Sequence, residues 1–126
     1  MAVTHSTAAR DAAANAVVDL LDAGTPPGFL VFQTSGDVTV CTITLETTAF
    51  GASSTGVATM AQGASKVSDG ATAGTIAKAK FTNAAGTSVI LCAVATSGSD
   101  INVPGGLTLA TGDKIEITAL TYTAPV

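Results

Sequence analysis

Four kinds of side chain in this sequence could do chemistry: one histidine, two cysteines, nine carboxylates, and many serine and threonine hydroxyls. A nucleophilic serine or cysteine needs an imidazole held beside it. The single histidine, His5, stands in a short arm ahead of the first helical pattern, so it reads as an exposed residue rather than a base. The chain has no Gly-x-Ser-x-Gly elbow and no Gly-rich phosphate loop ending in Gly-Lys-Ser or Gly-Lys-Thr. Asp37, Asp69, Asp100 and Asp113 each fall beside or close to glycine in a turn-like stretch. Turn capping by the Asp side chain explains all four. Their scatter argues against a paired-carboxylate cleft and against a Ca²⁺ site. Zinc lacks its ligands, with one His and no close Cys pair. The expectation is a protein without catalytic residues, metal or cofactor.

Cys41 and Cys92 both lie within strand-like apolar runs. Buried free thiols are the expected state, and a single disulfide across a sandwich is the alternative.

These groups are positioned by one helix and a series of short strands. Residues 1–5 form an arm, and a helix is predicted over 6–22, capped by Ser6 or Thr7 and stopped by Gly24 and Pro26-Pro27. Ala9, Ala13, Ala16, Val17, Leu20 and Leu21 share one side of it, facing either the protein's own sheet or a neighbouring subunit. Arg10, Asp11, Asn15 and Asp19 interrupt the segment, which also lacks the basic start of a signal peptide. No run reaches the ~18 to 20 apolar residues that span a bilayer.

From Gly28 the period changes to β. Gly28 to Glu46 reads as a hairpin about Ser35-Gly36-Asp37, with neither face of its second arm charged. Gly56 to Ala61 is a weak strand, and Gly63 to Gly74 a small-residue loop expected to be mobile or ordered by a partner. Thr75 to Thr82 and Ser88 to Ala95 form a second hairpin, with Ala77, Ala79 and Phe81 inward and Lys78 and Lys80 outward. Short strands at Ile101 and Leu107 precede a last strand over Lys114 to Thr123, with a bulge expected near Thr118-Ala119. The fold class is therefore mainly β: a single domain over 1–126, with a β-sandwich of about seven or eight strands over 28–123 and one N-terminal α-helix. Jelly-roll and immunoglobulin-like topologies both fit.

Only 11% of residues are charged, where a soluble domain usually carries about 25%. Much of the surface must then be Thr, Ser, Ala and backbone, which suits contact with protein partners over a wide area. Net charge is −4, and the five basic residues are scattered, so there is no basic stripe for nucleic acid.

Several phrases resemble a known family. The Ala-rich helix ends Val17-Val18-Asp19-Leu20-Leu21-Asp22-Ala23-Gly24 and leads into a Gly-x-Leu-x-Phe hairpin. Phe50-Gly51-Ala52, Gly56-Val57-Ala58-Thr59, a Lys-Phe strand and a Gly112-Asp113 strand ending Thr-Tyr-Thr-Ala-Pro follow. Across nearly the whole chain this resembles small virion proteins of tailed bacteriophages, of the capsid decoration, cement or minor capsid kind. The resemblance implies a non-enzymatic protein made in the host cytoplasm and bound to the capsid exterior. It also implies the major capsid protein as partner and a homo-dimer or homo-trimer at the local symmetry axes. An arm over residues 1–8 and the loop over 63–74 would lie on the shell, which nominates Val3, Thr4, His5, Ala8, Lys66, Val67 and Asp69 as interface residues. The alternative is a receptor- or carbohydrate-binding module of a tail or fibre tip. With no Trp and one Tyr, the chain is poorly equipped for stacking on sugars.

Overall fold

The computed structural model describes residues 3–25, 27–60, 66–117 and 120–123. Helix α1 spans Thr7–Asp19, and a 3-10 turn over Leu20–Asp22 extends it. Ser6 caps the first turn, its hydroxyl accepting from the Ala9 amide at 3.2 Å, and Gly24 at φ +81° follows the last. These limits match the predicted ones. No helix among the described residues is long and apolar enough to cross a membrane.

Of the side of α1 expected to pack, Leu21 is buried and Val17 half-buried, whereas Ala9, Ala13, Ala16 and Leu20 are exposed. Ala14 and Val18 face the core with Leu21, so the buried side is rotated from the expected one. The cause is the polar residues flanking the buried stripe. Asp11 Oδ1 accepts from the Gly56 amide (2.7 Å) and the Ser53 hydroxyl (3.1 Å), and Asn15 Oδ1 accepts from the Ser53 amide (2.8 Å). Asp22 Oδ1 accepts from the Ala49 amide (2.9 Å). These side chains bond the backbone of 49–56 instead of water, so polarity marks the docked side of the helix and the alanine stripe turns outward.

Eleven strands follow among the described residues: β1 (Phe29–Gln33), β2 (Thr39–Thr44), β3 (Val57–Thr59), β4 (Lys66–Val67), β5 (Gly74–Thr75), β6 (Lys78–Thr82), β7 (Ser88–Ala95), β8 (Ile101–Asn102), β9 (Thr108–Leu109), β10 (Glu116–Ile117) and β11 (Thr121–Thr123). Five of them form a sheet in the order β2-β1-β6-β7-β8, antiparallel except for the β7–β8 pair. Both predicted hairpins are present. In the first, the Asp37 amide donates to Thr34 O and the Thr34 amide to Val38 O. The left-handed residue of this three-residue loop is Asp37 (φ 68°), a position Asp tolerates.

On the inner face, Leu30 and Phe32 of β1, Cys41 and Ile43 of β2, and Ala79 and Phe81 of β6 are buried. Ala77 is exposed instead of inward, because it precedes β6 at the crossing where its amide bonds Gln33 O. Phe32 pairs with both Cys41 and Ala79, and Ala79 pairs with Cys92. The two thiols thus sit in one row, three strand spacings or about 14 Å apart. That is about twice the span of a disulfide. Both cysteines are free, Cys41 buried and Cys92 half-buried.

The three smaller sheets, β3–β11, β4–β10 and β5–β9, are successive parts of one antiparallel ribbon. Backbone bonds fill the gaps: Ile76 N to Leu107 O (2.9 Å), Gly112 N to Ala71 O (2.8 Å), Ser68 N to Ile115 O (2.8 Å) and Met60 N to Leu120 O (2.8 Å). The register holds without net slip from Ile76 opposite Leu107 to Lys66 opposite Ile117. It then changes, since Met60 bonds Leu120 while Lys66 pairs with Ile117. The bulge expected at Thr118-Ala119 lies outside the described residues.

The ribbon corrects the expectation of a mobile loop over 63–74. Gly63 to Ser65 lie outside the described residues, but from Lys66 onward the segment is held on both sides. The Asp69 amide donates to Thr42 O (3.0 Å), the Thr42 amide to Asp69 Oδ1 (2.9 Å), and the Thr72 amide to Val40 O (2.8 Å). The edge of β2 is therefore covered by the ribbon, which curls round to face the five-stranded sheet in a sandwich-like fold. α1 packs against β3 and β11. The core between the layers includes Phe50 and Phe81, whose rings meet edge to face with centroids 5.9 Å apart.

Candidate functional site

The residues nominated as an interface separate into two groups with different supports. Val3, Thr4, His5 and Ala8 are exposed, and Val3 is 80% accessible at the start of the described chain. Lys66, Val67 and Asp69 belong to the ribbon. The Lys66 side chain is outside the described residues, and Val67 is exposed. Asp69 is exposed, but its carboxylate is already committed to the Thr42 amide, so it holds the ribbon to β2. The arm leads into α1, which packs on β3 and β11 at one end of the ribbon, whereas β4, further along it, contacts β10 and β2.

The outer face of the five-stranded sheet was not anticipated as a surface. Phe29 and Val31 of β1 are half-buried there, and Leu91 of β7 is 77% exposed opposite Lys80. Lys78, two register positions further along and on the same face, makes an ion pair with Asp37 of the first hairpin loop. Lys78 first through the hydrogen bond and then through its charge, with Lys80 adding a smaller attraction, holds the Asp37 carboxyl below its ordinary range. The sequence bears on β2 alone, whose two uncharged faces imply at least partial cover on both. Val40 is buried and Thr42 half-buried on one face, and Cys41 and Ile43 are buried on the other, whereas Leu91 of β7 is left exposed.

Groups capable of catalysis are dispersed. Among the described residues no three His, Cys, Asp or Glu side chains come together as a metal site would need. Burial raises the Cys92 thiol to about 11, with the nearby Asp100 carboxylate adding to the effect. Burial also raises Cys41, offset in part by a hydrogen bond with the Ser68 hydroxyl. Both thiols are thereby protonated and poorly nucleophilic at neutral pH. The concavities are open at the surface. The one between β8 and β10, of about 590 Å³, has an apolar floor that includes Phe32, Ile101 and Ile117.

No family model matches this chain, and neither the curated proteins nor the solved structures yield a match.

Proposed function

We propose that this is a non-enzymatic structural protein of a tailed-phage virion, bound to the outside of the capsid as a decoration, cement or minor capsid protein. The observation that supports it best is uncharged surface exposed on separate sides of one tied-down fold. The Ala9, Ala13, Ala16 and Leu20 side of α1 is one such surface, and the uncharged Ser88 to Leu91 stretch of β7, flanked by Lys80 of β6, is another. Surfaces of that kind suit broad, shallow contact with protein neighbours rather than enclosure of a small molecule. Many copies on a symmetric shell multiply weak contacts into a firm hold. The resemblance noted in the sequence points the same way. The partner is the major capsid protein, with a dimer or trimer of this chain at a local axis.

The test is to add the purified protein to phage heads lacking it and count bound copies. Hundreds per head, with greater resistance of the heads to heat or chelator, fit the proposal. A handful located at a tail tip would favour a receptor-binding module, and no binding would remove the capsid role.

A further inference from the structure

We infer that the free edge of β7 is the contact between two copies of this chain, paired antiparallel about a two-fold axis at Ile90. The capsid reading allows a dimer without locating its interface. This assignment rests on the edge strand and is decided on the protein alone, away from any phage head.

The two edges of the five-stranded sheet are treated differently. The β2 edge is covered through Asp69 and Thr72. On β7, the last residues pair with β8, and the Ala93 amide is taken by Asp100 Oδ2 at 2.9 Å. Since Ala93 donates away from β6, strand alternation aims the Leu91 amide and carbonyl the same way. From Ser88 to Cys92 no described segment pairs with that side. Val89, Ile90, Leu91 and Cys92 are four apolar residues in succession, and none of them is fully buried. A strand apolar on both faces belongs inside a sheet, with a neighbour on each side. In the single chain β7 has that sequence without that position.

Charge selects a second copy as the neighbour. A two-fold contact sets each group against its own kind, so it tolerates no charge near the axis. Ser88 to Cys92 carries none. Asp100, the charged group on this edge, ends the free stretch at Ala93 and so fixes where the axis lies. Two copies overlap along the whole of Ser88 to Cys92, clear of both carboxylates, when its midpoint Ile90 is on the axis. The two Asp100 groups then stand at opposite ends, about 20 Å apart. Each meets the Thr87-Ser88 end of the other copy, where exposed hydroxyls are donors for a carboxylate whose second oxygen has no partner among the described residues. Lys80 lies one strand back, so the two lysines are three strand spacings, about 14 Å, apart. That exceeds the screening length of physiological salt, about 8 Å.

The same pairing covers what the single chain leaves open. Leu91 comes opposite Val89 of the second copy, and the two Ile90 side chains meet on the axis. Beneath them runs a groove of about 370 Å³ lined by Phe50, Phe81 and Ile101. β7 becomes an inner strand of one sheet continuous across both copies.

The experiment is sedimentation equilibrium of the purified protein, with hydrogen exchange read residue by residue. A dimer is expected, with the Leu91 amide slowed about tenfold or more between dilute and concentrated samples. Leu91→Lys alters a side chain that is exposed in the single chain. It should leave melting of the dilute protein unchanged and weaken the dimer about tenfold or more. Ile90→Cys should oxidise to a disulfide-linked dimer, because facing residues at the axis have Cα atoms about 4.5 Å apart, within disulfide reach. Leu20→Cys, on the exposed side of α1, should not. If Ile90→Cys does not fold, exchange in the unaltered protein still decides. The inference fails if the protein is monomeric at every concentration, if Leu91→Lys leaves the dimer intact, or if Leu20→Cys crosslinks in place of Ile90→Cys. Protection of Leu91 in a monomer only after phage heads are added would give the edge to the capsid protein, overturning the dimer while capsid binding stands.

Discussion

The Gly56 amide donates to Asp11 Oδ1 at 2.7 Å, joining the first turns of the helix to a loop 45 positions further on. The same oxygen accepts from the Ser53 hydroxyl, so one carboxylate fixes two points of the 49–56 segment. Asp11→Ala should cost about 1–3 kcal/mol, since a charged acceptor is lost and a part-buried amide is stranded. Asp19→Ala, on the exposed side of α1, should stay within about 0.5 kcal/mol. Urea melts of both variants check this. Equal losses would mean the clamp contributes nothing particular.

Three glycines should separate by what surrounds them. A methyl at Gly28 would lie 2.3 Å from the Thr82 carbonyl oxygen and 2.9 Å from that of Leu21. Both are backbone atoms with nowhere to go, so Gly28→Ala should cost more than about 3 kcal/mol. Gly56, at φ +80°, would bring its methyl to 2.9–3.0 Å from Arg10, whose outer side-chain atoms can partly give way. An intermediate loss is expected. Gly24, at φ +81° with open space around it, should lose only about 1 kcal/mol from backbone strain. Thermal melts giving a different order would contradict the packing at Gly28.

The Asp37–Lys78 pair should show as a small, pH-dependent stabilisation. The folded carboxyl titrates below its ordinary 3.8, so its contribution is complete above that value and is lost as pH falls through the lower, folded one. Asp37→Asn keeps a residue suited to the left-handed turn while removing the charge. Its melting temperature should fall slightly short of the parent's at pH 7, with the gap closing in 1 M salt and in strong acid. The pair is exposed, so screening should be pronounced. A gap that persists unchanged at pH 2 would assign the effect to the turn rather than the charge.

The sequence showed the helix limits, both hairpins and the inward residues Ala79 and Phe81, because caps, glycines and alternation are local signals. It misplaced the helix's buried side, because Asp11, Asn15 and Asp22 look like solvent residues until the amides of 49–56 are brought to them. It also took 66–74 for a loop. That segment is small and polar, and its strand pairing depends on partners at 107–117 that no local pattern announces. The free side of β7 was hidden for a similar reason. An apolar strand looks the same at the centre of a sheet as at an edge, and only the two-residue length of β8 makes the difference.

The two cysteines should behave as separate, slow thiols. Cys92 titrates at about 11 instead of 9.0, so at pH 8 its thiolate fraction is about one hundredth of an ordinary cysteine's. Iodoacetamide should modify it correspondingly slowly, with a rate rising about tenfold per pH unit towards pH 11. Asp100→Asn should speed the reaction, because the charge that opposes ionisation is gone while an oxygen remains to accept from Ala93. The same raised value makes the folded state weaker in alkali. Above pH 9 the unfolded thiol ionises first, so the stability present below that pH is lost as it rises towards 11. Mild oxidation should leave the intramolecular bridge unformed, since Phe32 and Ala79 lie between the thiols in the same row. Mass spectrometry after oxidation and alkylation reads all of this. A Cys41–Cys92 peptide from native protein would overturn the register of four strands at once.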